Sequence, residues 1–180
     1  MKKLVKAVAA LLAEGCDVII CYTESPYTAD YCEQKGVKFI GNLDYSGSED
    51  NYKNMLMYYY AKRDSLFVSQ FKQLKMDTWE PDVYKGAMSN GIINISQATP
   101  NADKRTQDII DEIVPLLTSG KAKIFSGEIK DTLGNVRYMQ TETMTEAQIY
   151  GMDWYVLGVE PVGNFRKLQA STPNTFEIKS

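Results

Sequence analysis

The chain has 180 residues, 44% hydrophobic and 24% charged, enough to bury the core of one domain and too balanced for a disordered or fibrous chain. A net charge of −3 without a basic stripe excludes the electrostatic footprint of nucleic-acid binding. With no histidine anywhere, a histidine-based catalytic triad or zinc site is excluded as well.

The opening residues, MKKLVKAVAALLAEGC, imitate a lipoprotein signal. Lys6 interrupts the apolar run, and Glu14 stands where a cleavage site wants a small residue, so no export signal is expected. The spacing of Leu4, Val8, Leu11 and Leu12 predicts an amphipathic helix instead. Residues 17–22 (DVIICY) follow as a strand expected to be buried on both faces. Ser25 as cap and Pro26 at the first helical position start a helix that runs to Lys35 and stops at Gly36. Residues 37–41 form a short strand, residues 42–51 a polar loop, and residues 52–60 a third strand. Residues 61–76 read as a helix with Leu66, Val68, Phe71 and Leu74 inward. Beyond Trp79-Glu80-Pro81, strands at 83–88 and 92–95 are expected around a Ser89-Asn90-Gly91 turn.

Residues 103–119 form the strongest helix, with Ile109, Ile110, Ile113, Leu116 and Leu117 as its stripe, Pro115 predicting a kink and Gly120 ending it. Residues 123–129 and 136–139 read as a hairpin turning at Leu133-Gly134-Asn135, and Thr145 caps a short helix. Cys16, Cys21 and Cys32 are odd in number and lack a CxxC spacing, so free, mostly buried thiols are expected. No stretch is long and apolar enough to span a bilayer. Strands alternating with helices argue for a parallel sheet covered on both faces, a Rossmann-like doubly wound α/β lobe. Residues 1–160 make one lobe and 161–180 a tail with weak periodicity.

In such a sheet, ligands bind beyond the carboxyl ends of the strands. That rule selects Tyr22, Thr23, Glu24 and Ser25 at a helix N-terminus, Asp44 in the second loop, and Lys62 in the Tyr59-Tyr60-Ala61-Lys62-Arg63-Asp64 segment. Together they offer acids for sugar hydroxyls, a cation, and aromatic faces for a flat base. Plainer duties compete: Thr23, Glu24 and Ser25 are also good helix caps, Asp44 suits a turn, and Lys62 suits a solvated helix start. Tyr58, Tyr59 and Tyr60 must alternate between faces of their strand, and Trp154 reads as a packing anchor. Glu24 with Asp44 is the one carboxylate pair that the sheet rule brings together, and Cys21 lacks a histidine base. No catalytic residue, metal or cofactor is assigned, and the chain is read as a binding protein, not an enzyme.

The segment FSGEIKD, with Gly134-Asn135-Val136-Arg137, Met152-Asp153-Trp154 and Gly158-Val159 after it, resembles the C-terminal end of basic membrane protein family lipoproteins. Trp79-Glu80-Pro81, Tyr84, Gly86 and Ser119-Gly120-Lys121 add to the resemblance, which runs from residue 15 to about residue 159. Members carry His-Thr-Asp-Ser-Pro where this chain has Tyr22-Thr23-Glu24-Ser25-Pro26, an aspartate-rich loop where it has Asp44, and Lys-Arg where it has Lys62-Arg63. The resemblance implies one lobe, the C-terminal one, of a type I periplasmic-binding-protein fold. It also implies a purine-nucleoside ligand held without chemistry, an ABC permease as partner, and an extracytoplasmic or cell-surface location. Two alternatives stand beside it. One is a stand-alone module that forms a homodimer or pairs with a separate N-terminal lobe; the other is a small nucleoside-processing enzyme using Glu24 and Asp44.

Overall fold

The computed structural model describes residues 2–23, 25–42 and 52–161. Contacts divide the chain into two units, Met1–Ala122 and Lys123–Ser180. The first begins with helix α1 (Lys2–Ala13), whose Val8 is buried and whose Leu11 and Leu12 pack beside it. The Cys16 amide donates to the Leu11 carbonyl across Gly15, at φ 89°, a left-handed stop that suits a residue without Cβ.

Strand β1 (Val18–Ile20), helix α2 (Tyr27–Lys35) and strand β2 (Lys38–Asn42) form a β-α-β unit with parallel strands, Ile19 pairing with Phe39 and Ile20 with Ile40. The Ser25 hydroxyl accepts from the Tyr27 amide at 3.4 Å, but the cap position falls on Pro26, at φ −67°, and not on Ser25, so α2 opens one residue later than expected. Gly36, at φ 67°, closes it with amide bonds to the Cys32 and Glu33 carbonyls. The Glu33 carboxylate then accepts from the amides of Lys53 and Asn54, tying α2 to the entry of the next strand.

That strand, β3 (Met55–Ala61), is parallel to β2 with a bulge: Phe39 pairs with Met55 but Ile40 with Met57, leaving Leu56 as the extra residue. Strand β4 (Ile93–Ile95) joins β3 antiparallel, and the sheet order is β1-β2-β3-β4. The core gathers Ile19, Cys21, Phe39 and Met55 from the sheet side, Val8 from α1, and Ala29 and Cys32 from α2. This is the parallel-sheet α/β lobe that the sequence predicts.

Four further expectations are corrected. Residues 17–22 are not covered on both sides: Ile19 is buried, but Val18 is exposed and Ile20 is 65% exposed. The core helices α1 and α2 supply one face, and burial of β1 alternates accordingly. Residues 83–88 form no strand, because β4 pairs with β3 instead; Asn90 organises the turn by accepting from the Ala87 and Ile92 amides. In helix α3 (Asp64–Lys75), Val68, Phe71 and Leu74 are exposed, not inward. The hairpin near residue 123 pairs as a ladder only from Ile129 onward. Helix α4 (Lys104–Thr118) is capped by Asp103, whose carboxylate accepts from the amide and hydroxyl of Thr106. Pro115 lies within α4, and Gly120, at φ 69°, follows its end. No described helix is long and apolar enough to cross a membrane.

The second unit carries the hairpin β5 (Ile129–Lys130) and β6 (Val136–Tyr138), then helix α5 (Glu146–Tyr150) with Thr145 and Gln148 closing a capping box. Buried Asp131 organises the turn. Its carboxylate accepts from the Leu133 and Asn135 amides, the Asn135 side chain and Arg137 Nε, and the Arg137 guanidinium lies 5.4 Å over the Trp154 ring. Trp154 is thus a packing anchor in its own unit. Burial pushes the Asp131 carboxyl up, but the four donors outweigh it and hold the group below the usual aspartate range. A depressed folded value means that its contribution is present above the ordinary aspartate pKa of about 3.9 and is lost as pH falls through the folded value. Unfolding followed by Trp154 fluorescence in a Trp79→Phe chain should therefore show stability dropping on the acid side. Asp131→Asn should be less stable at neutral pH and should flatten that acid-side drop. An Asp131→Asn profile parallel to the parent's would assign the acid sensitivity to other groups.

Candidate ligand-binding site

Parallel strands point their carboxyl ends the same way, and in the first unit those of β1, β2 and β3 meet at one edge. A cleft of about 370 Å³ opens there. Tyr22 follows β1, Asn42 ends β2, and Ala61 ends β3; all three line it, with Thr23 beside Tyr22. The sheet rule therefore finds the edge, and the pleat decides which tyrosine serves it. Tyr59 lies on the cleft side and stacks on Tyr22, ring centroids 5.7 Å apart and planes 19° from parallel. Tyr58 and Tyr60 lean together at 5.9 Å, and Tyr60 also reaches the cleft wall.

Hydrogen bonds fix this aromatic pair from below. The Tyr59 hydroxyl donates to the Cys21 carbonyl at 3.0 Å, the Cys21 amide donates to the Ile40 carbonyl, and the Cys21 side chain is buried. Tyr22 stands out at 84% exposed, a large apolar ring in water. Thr23 donates its hydroxyl to the Ser25 carbonyl at 3.1 Å and lies 3.4 Å from the Thr28 hydroxyl. Ser25 accordingly shapes the start of α2, while Tyr22 and Thr23 face the cleft.

Lys62 is exposed, with its ammonium 5.9 Å over the Tyr60 ring and its amide bonded to the Ile92 carbonyl. Arg63, one residue on, lines the cleft in its place. Glu24 and Asp44 lie outside the described residues. Gly86 and Ile93 complete the wall, and sequence reasoning did not assign them to it. Ile93 comes there because it pairs with Ala61 across the antiparallel β3–β4 ladder. A methyl group on Gly86 would sit 2.7 Å from Ile92 Cγ2, and Ile92 is buried. Gly86→Ala should thus cost about 1–3 kcal/mol in denaturant unfolding, and an unchanged midpoint would mean that this wall yields freely.

Two larger grooves, of about 660 and 680 Å³, lie elsewhere in the first unit. One runs past Tyr58 and residues 96–101, the other between α3 and residues 78–84, and neither gathers the carboxyl ends of the strands. Among the described residues no group of three or more cysteines and carboxylates could hold a metal ion. The described cleft wall offers π-faces, an amide, a hydroxyl and a guanidinium. Such a set suits a flat, polar solute, stacked on the rings and oriented by the polar groups.

No family model matches the chain. It is 23% identical over 158 residues to a purine-binding protein of Brucella abortus (strain 2308), which covers 86% of this chain and 43% of that protein. The chain thus spans less than half the length of the curated relative that it matches. It is also similar to the solved structure of an ABC transporter system solute-binding protein from Conexibacter woesei DSM 14684, with a TM-score of 0.49 and 16% identity over 68% of this chain and 41% of that one.

Proposed function

We propose that this chain is a lobe, the C-terminal one, of a basic membrane protein family substrate-binding protein that captures a purine nucleoside, without chemistry, for an ABC permease. The Tyr22–Tyr59 stack at the carboxyl edge of parallel strands carries the reading. A purine either continues that stack on the open face of Tyr22 or displaces Tyr22 from Tyr59, and both put π-face on π-face. Thr23 and Asn42 would meet ribose or base edges; Ser25 and Lys62, with Glu24 and Asp44, which lie outside the described residues, complete the proposed ligand-binding set. The similarity to a purine-binding protein supports the ligand class. The place of action on this reading is extracytoplasmic, at the cell surface.

One lobe leaves a face of the ligand in water, so this chain by itself should bind weakly. The exposure of Tyr22 and Ile20 favours a covering partner, either a second copy or a separate N-terminal lobe that closes over the cleft. Calorimetry with adenosine, guanosine and inosine, on a sample whose mass is known from light scattering, tests both points. Micromolar binding by a dimer supports an assembled cleft, and weak binding by a monomer supports a single lobe. Absence of heat with every purine at millimolar concentration counts against the ligand class. Release of free base from any nucleoside would replace the binding reading with an enzymatic one, centred on Glu24 and Asp44.

A further inference from the structure

Strand β1 is an outer strand of the four-stranded sheet, and among the described residues no strand pairs with its free side. The Cys21 amide bonds across to the Ile40 carbonyl of β2. Backbone groups alternate along a strand, so those of Val18 and Ile20 point to the free side. One of them, the Ile20 carbonyl, accepts from the Tyr22 amide at 3.2 Å. Natural edges are blunted by a lysine, a proline or a bulge, and Val18-Ile19-Ile20 carries none of these. Val18 and Ile20 are both exposed.

Helix α1 stands over the same edge. The β3 side of α2 is taken, because Asp30 and Glu33 of α2 bond to Tyr52, Lys53 and Asn54. Since α1 packs against α2, it lies on the other flank, toward the free side of β1. At helical spacing Lys3, Ala7, Ala10 and Glu14 form one stripe, with the Glu14 amide still bonded to the Ala10 carbonyl. The right-handed course of β1-α2-β2 turns that stripe away from α2. Lys3, Ala7 and Glu14 are exposed, and among the described residues neither charge has an ion-pair partner.

We propose that a second copy of this chain docks here about a two-fold axis, α1 against α1 in antiparallel fashion and the edge of β1 beside that of its partner. Charge complementarity selects the occupant, because the stripe is its own complement when reversed. Lys3 meets the partner's Glu14, and Ala7 meets the partner's Ala10, side chains small enough for two helices to approach closely. At the sheet, Val18 falls opposite the partner's Ile20 and exchanges backbone bonds with it, and Ile19 sits on the axis. The two centres agree in level: the stripe is centred beside Val8, the strand on Ile19, and Val8 and Ile19 share one core cluster. Symmetry makes every contact twice, which lifts the small worth of a single exposed ion pair. The contact is independent of the ligand reading. The axis turns the carboxyl ends of the two β1 strands in opposite directions, so neither cleft is covered by it.

Sedimentation equilibrium of the full chain over micromolar concentrations should show a monomer–dimer equilibrium. Ile20→Lys, a change at an exposed position, should shift it to monomer while leaving the circular dichroism intact. Lys3→Glu and Glu14→Lys each set like charges face to face, and each should weaken the dimer about tenfold. Both changes in one chain restore opposite charges and should recover the parent equilibrium. Misfolding cannot imitate that recovery. A chain that is monomeric at every concentration overturns the proposal and leaves the edge to a strand of a different polypeptide. A dimer unmoved by the three single changes, or one that the double swap fails to recover, overturns it by placing the contact elsewhere.

Discussion

Phe39→Ala is expected to lower the stability of the first unit by about 3–5 kcal/mol, because Phe39 is the largest fully buried side chain among the described residues. Phe39 is fully buried, pairs with both Ile19 and Met55 across the sheet, and meets the Tyr52 ring edge-on at 5.5 Å. Removing the ring strips contacts from two strands and leaves a void that α1 and α2 cannot fill without shifting. Against a typical total of about 5–15 kcal/mol, such a loss leaves the unit close to unfolding. Urea titration followed by circular dichroism should show the midpoint collapse, with Phe39→Leu losing much less. A small shift for Phe39→Ala would place the core of this unit elsewhere.

The second large effect concerns binding. Tyr59→Ala should weaken adenosine binding by a factor on the order of 10 to 100, the worth of roughly 1–3 kcal/mol of base stacking. Tyr59→Phe keeps the ring and loses only the hydroxyl bond to the Cys21 carbonyl, so its affinity should stay within a few-fold of the parent. The contrast separates a stacking role from a structural one. If Tyr59→Ala folds and binds adenosine like the parent, the ligand is not held at this edge.

Local chemistry was readable directly. Gly36 ends α2, Gly120 follows α4, Thr145 caps its helix, and the Leu133-Gly134-Asn135 turn closes the β5–β6 hairpin; each depends on its neighbours in sequence alone. Burial of Val68, Phe71 and Leu74 was misjudged because an apolar stripe says that a helix can be covered, not that a neighbour covers it. Residues 83–88 misled for a related reason. Alternation shows that a segment could pair, but β3 offers one free edge and β4 takes it.

The cleft divides the same way. Tyr22 and Thr23 were accessible from the sheet rule, since strand ends can be estimated from the sequence. Arg63 and not Lys62 reaches the wall, where α3 begins at Asp64 and not at residue 61 as the sequence predicts. Ile93 and Gly86 depend on a long-range antiparallel pairing that no local pattern announces.

The bulge at Leu56 gives the tyrosine triplet an unexpected property. Strand side chains alternate, so a register error of one residue in β3 would exchange the sides of Tyr58, Tyr59 and Tyr60. The cleft would then face the ring of Tyr58 in place of that of Tyr59, and its wall would remain aromatic. The core enjoys no such redundancy, because Met55 opposite Phe39 would give way to an adjacent residue of different shape. A one-residue insertion or deletion in β3 should therefore leave the cleft wall aromatic and be rejected by the interior.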